Sequence, residues 1–140
     1  MSPTARRRTR YLVLAAALVL QLVVLYVPRV PDVGAVAVPG GDKIVHAAVF
    51  GAVTLAALRA GLSPAVVLTF GVVHAGVSEL LQHTVLPARS GDAFDVLADL
   101  AGVTLGALAA WWLALRGSRP AVVRGGAPGR SGRGRSGPPR

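Results

Sequence analysis

Nine residues of this 140-residue chain have types and spacings that can do chemistry: Asp42, Lys43, His46, Glu79, Gln82, Arg89, Asp92, Asp95 and Asp99. In Asp42-Lys43-Ile44-Val45-His46 a helix sets an acid and an imidazole four apart on one face. Glu79-Leu80-Leu81-Gln82 again places two polar groups about one turn apart. Asp95 and Asp99 are one turn apart, and Arg89 lies just upstream. Three chemistries suit such a set. Lys43, Arg89 and His46 beside carboxylates can bind a charged, polar headgroup. His46 with Glu79, Asp92 and Asp95 offers mixed nitrogen and oxygen donors to a divalent cation. The same groups can act as an acid/base pair beside a lipid phosphate.

Four strongly apolar runs must position these residues. They extend from Tyr11 to Val27 (broken only by Gln21), from Ile44 to Leu62, from Pro64 to about Leu81 and from about Ala93 to Leu115. At 1.5 Å per residue each approaches or exceeds the roughly 30 Å hydrocarbon core of a bilayer. No strand alternation interrupts them, so the fold class expected is all-α, a four-helix transmembrane bundle. Asp42 stands where it can cap the second helix, and Ser63-Pro64 reads as N-cap and first residue of the third. Trp111 and Trp112 close the fourth run just before Arg116, as interfacial aromatics do. An Arg-rich start followed by an apolar run also suits a signal peptide, and Ala35-Val36-Ala37 has cleavage-site character. That triplet lies far beyond the run, past Pro28 and Pro31, so the run is read as a retained helix.

All six acidic residues, Asp32 included, fall where apolar runs begin or end. A soluble domain scatters its acids, whereas ionisable groups at membrane depth mark functional sites by default. The net charge of +9 sits in two tails, Arg6, Arg7, Arg8 and Arg10 at the front and seven arginines from Arg116 to Arg140 at the back. Nucleic acid is therefore not the expected partner: the basic residues flank apolar spans and make no patch on a folded surface. Residues 1–10 read as a basic cytoplasmic segment, 11–115 as the membrane domain and 116–140 as a Gly/Pro/Arg-rich disordered tail. With both termini cytoplasmic, the inner side holds twelve of the fifteen basic residues; Arg29, Lys43 and Arg89 stay outside. The expected location is the plasma membrane, multi-pass, with the acids on or near the outer face.

On helix four, Asp95, Asp99, Gly102 and Gly106 continue one stripe. Gly102-Val103-Thr104-Leu105-Gly106 is a GxxxG pattern that lets a neighbouring helix approach closely. That face is acidic above, thin below, and expected to face the bundle.

Together these motifs resemble the VanZ-like family, small membrane proteins linked to teicoplanin resistance. The similar residues are Asp42-Lys43-x-x-His46, Glu79-x-x-Gln82, and Arg89 followed by Asp92, Asp95, Gly102 and Gly106, spread over Tyr11 to Trp112. Asp99 departs from the pattern, which has Asn there. The resemblance implies a role at the outer envelope, affecting how glycopeptides reach lipid-linked targets, with membrane lipids and a lipid-linked cell-wall precursor or glycopeptide as partners.

Plainer roles stand beside these. Lys43 and Arg89 can serve only to neutralise the acids. Asp99, so deep, needs a basic partner or a proton. His74 reads as a hydrogen bond between helices, and His83 as a loop residue. No Gly-x-Ser-x-Gly, His-Glu-x-x-His or phosphate-binding glycine loop occurs. No cofactor or resident metal is expected, and absence of Cys removes thiol chemistry. Catalysis, binding and a small accessory-subunit role all remain open at this level.

Overall fold

A computed structural model describes residues 2–27, 39–85 and 93–117. These form four helices: α1 (Pro3–Tyr26), α2 (Gly41–Ala60), α3 (Pro64–Val85) and α4 (Ala93–Gly117), each long and apolar enough to cross a membrane. Large apolar side chains such as Leu12, Val19, Val66, Leu80, Leu97 and Leu105 face outward, while His46, Gln82, Asp95 and Asp99 are buried. This inverts the soluble pattern. It suits a solvent of lipid chains, from which polar groups withdraw.

Several ends differ from the sequence reading. Helix α1 begins eight residues before Tyr11, because Ser2 Oγ accepts a hydrogen bond from Ala5 N (3.2 Å) and Pro3 follows at the first turn. The arginines of the N-terminal segment are thus part of the helix. Asp42 is not the cap of α2. Gly40, with φ 77°, holds that position without a side-chain bond, and Asp42 lies in the first turn beside the positive helix end. Helix α3 runs a turn past Leu81, so His83 is an exposed helical residue and not a loop residue. Arg116 and Gly117 finish α4, and the Arg116 guanidinium stacks 3.3 Å over the Trp112 ring.

Between α2 and α3 the turn is tight. Gly61 (φ 91°) lets Leu62 N reach Ala57 O at 3.2 Å, and Val67 N then bonds Ser63 O at 3.0 Å to start α3. The packing is centred on α2, which lies most extensively against α4 and next against α1. Two apolar clusters fill the interior. Leu14, Val53, Ala56, Ala57 and Val67 make one; Leu25, Val49, Phe50, Ala75 and Val103 make the other, nearer the polar end.

Candidate functional site

The site is built on the seam between α2 and α4, which run parallel. Their approach is close because α4 lacks side chains where α2 backbone passes. A Cβ on Gly102 would collide with Ala47 O and come within 2.8 Å of Ala47 Cα; one on Gly106 would collide with Gly51 O and meet Thr54 Cβ at 2.9 Å. The glycine stripe therefore faces a neighbouring helix, and that helix is α2.

Toward the N-terminal ends, the same seam carries a ladder of charge. Lys43 Nζ lies 3.0 Å from Asp95 Oδ1 and 3.5 Å from Asp42 Oδ2. About one turn deeper, His46 Nδ1 lies 3.0 Å from Asp99 Oδ1. The spacings 43/46 and 95/99 put both pairs on the facing stripes of two parallel helices. Exposure falls steeply down the ladder: the Lys43 side chain is 34% exposed, Asp95 6%, His46 2% and Asp99 0%. Asp99 thus has the basic partner its depth requires. His46 pairs across helices with Asp99, in place of the i,i+4 approach to Asp42 that sequence spacing offers.

The C-terminal halves of α1 and α3 close the same end. Both carboxylate oxygens of Glu79 are buried. Gln82, 2% exposed, donates from Nε2 to Leu25 O at 3.2 Å, satisfying a carbonyl at the end of α1. Its amide nitrogen therefore ties two helices together. His74 Nε2 is 3.5 Å from Tyr26 OH, so His74 links α3 to α1 as a long inter-helix hydrogen bond. The imidazole is flanked by the rings of Phe50 and Phe70, with centroids at 5.4 and 5.2 Å. Arg89 and Asp92 lie outside the described residues.

Among the described residues, three buried nitrogens and oxygens at this end have no hydrogen-bond partner: His46 Nε2, Asp99 Oδ2 and His74 Nδ1. Buried polar atoms left unpaired are costly, so these three concentrate unmet hydrogen-bonding demand at the polar end. No three His or carboxylate side chains converge as metal ligands among the described residues. The arrangement suits recognition of a charged, hydrogen-bonding group, with Lys43 at the mouth and His46–Asp99 behind it. Two residues of α1 escaped the sequence reading. Half-buried Tyr26 lies at the end of the helix, and its partner is 48 residues away. Gln21, the one polar break in the first apolar run, is 1% exposed and helps line an apolar cavity of about 250 Å³ between α1, α2 and α3. Its position as the lone interruption was the available signal.

Compared with known protein families, curated proteins and solved structures, the chain matches none of them. The likeness to VanZ-like proteins rests on the quoted motifs alone.

Proposed function

We propose that this chain is a VanZ-like plasma-membrane protein with both termini cytoplasmic. Its outward-facing polar end binds the charged headgroup of a lipid-linked envelope component and so alters glycopeptide susceptibility. The observation that carries this reading is the ladder from partly exposed Lys43, paired with buried Asp95, to sealed His46–Asp99, where Nε2 of one and Oδ2 of the other have no hydrogen-bond partner. The arginine-rich segments at both ends of the chain, with Arg59, support the orientation. Native mass spectrometry from nanodiscs supplied with a lipid-linked cell-wall precursor and a neutral lipid tests the reading. Retention of the precursor by wild type, lost in Lys43→Met, supports it; equal retention of both lipids refutes it.

A second reading, an enzyme acting on a headgroup phosphate, is favoured by one observation. With Asp99 holding the Nδ1 side, buried His46 Nε2 is the nitrogen without a hydrogen-bond partner, the one that could serve as a general base. Phosphate release from a lipid-linked diphosphate, absent in His46→Gln, would select this reading over simple binding.

A further inference from the structure

At the opposite end of the bundle, Arg10 of α1 and Arg59 of α2 both line two grooves that flank the last turns of α2. One groove, about 470 Å³, descends past Val13 and Ala17 on α1 and Ala52 on α2. The other, about 560 Å³, descends past Leu68 on α3 and Ala107 and Trp111 on α4. Neither arginine forms an ion pair among the described residues, and the acids of the ion-paired ladder lie at the other end. Two cations from different helices thus sit at the divide between two apolar channels. Seven residues separate Arg10 from Ala17 and Arg59 from Ala52, a drop of about 10 Å along each helix. That covers most of one leaflet of a roughly 30 Å hydrocarbon core.

We propose that this end is a binding site for one anionic diacyl phospholipid, its phosphate held by Arg10 and Arg59 and one acyl chain in each groove. Charge complementarity fixes the headgroup class: guanidinium pairs bind phosphate oxygens in fork geometry, and basic pockets between membrane helices seat anionic headgroups. The apolar walls fix the rest of the molecule, since a soluble phosphate would leave both channels empty. Trp111, which lines the same groove as both arginines, is an aromatic of the kind that membrane interfaces favour. The site does not depend on the reading of the polar end, being built from other residues.

The full chain in nanodiscs of phosphatidylcholine, with or without a fifth of phosphatidylglycerol, provides the test. The anionic lipid should raise Tm by about 5 °C, the effect of a ligand that binds only the folded state. Arg10→Gln/Arg59→Gln should keep the phosphatidylcholine Tm and lose that increment, while Arg6→Gln/Arg8→Gln should keep the increment. Native mass spectrometry of wild type should also show one phosphatidylglycerol retained in preference to phosphatidylcholine, which judges the site even where the double variant folds poorly. Equal loss in both double variants would mean that the tail's general charge is responsible, and would overturn the proposal. So would an equal Tm rise with inorganic phosphate, or no preference between the lipids.

Discussion

His46 Nδ1 and Asp99 Oδ1 sit 3.0 Å apart, on different helices, with side chains 2% and 0% exposed. A histidine and an acid sealed together depend on one another, because removing either leaves the other buried without its main partner. Breaking such a pair typically costs about 3–5 kcal/mol, while an isosteric change that keeps a hydrogen bond costs far less.

Asp99→Leu should therefore destabilise the bundle by about 3–5 kcal/mol, and Asp99→Asn by about 1 kcal/mol. Pairing each with His46→Leu should reveal non-additivity of about 1–3 kcal/mol for the Leu variant. Unfolding titrations in mixed micelles give these numbers. Additive, mild effects would mean the two side chains are energetically independent.

Bulk on the α2-facing side of α4 should be poorly tolerated. Gly106→Leu places atoms where Gly51 O and Thr54 Cβ already stand, whereas Ala101 is exposed. Gly106→Leu should lower stability more than Ala101→Leu by about 1–3 kcal/mol. Equal tolerance would place the glycine stripe against lipid.

The glycine stripe and the acidic stripe were legible in the sequence because both follow helical periodicity on one segment. The four spans were legible through length and composition. What failed was local or long-range. Asp42 read as a cap, but Gly40 took that position through a left-handed conformation that composition does not reveal. The bond from the Gln82 amide nitrogen to Leu25 O joins residues 57 apart, and no motif announces it. The cross-helix pairing of His46 with Asp99 likewise depends on the register of two parallel helices, which Gly102 and Gly106 set only once packed against Ala47 and Gly51.

Gln21 should be a liability to stability. Its Oε1 is buried without a partner beside an apolar cavity. Gln21→Leu should therefore stabilise the protein by about 1–2 kcal/mol, by removing an unsatisfied carbonyl. A loss of stability in the same unfolding titration would show that the amide has a partner in the membrane.

The orientation can be read with single cysteines in this Cys-free chain. With both termini cytoplasmic, Ala35→Cys and Ala88→Cys should react with an impermeant thiol reagent in intact cells, and Ser131→Cys should be protected. The reverse labelling pattern would put the polar end on the cytoplasmic side.

The most direct measurement of the central claim is teicoplanin susceptibility of a glycopeptide-sensitive bacterium expressing this chain or its polar-end variants, at expression levels matched by immunoblot. Wild type should shift the inhibitory concentration. Lys43→Met and Asp95→Asn should each abolish the shift, and the double variant should be no worse than either, because groups that work as one unit do not add. Well-expressed variants that keep the full shift, or partial losses that simply add, would contradict a functional site at the Lys43–Asp95 end of the bundle.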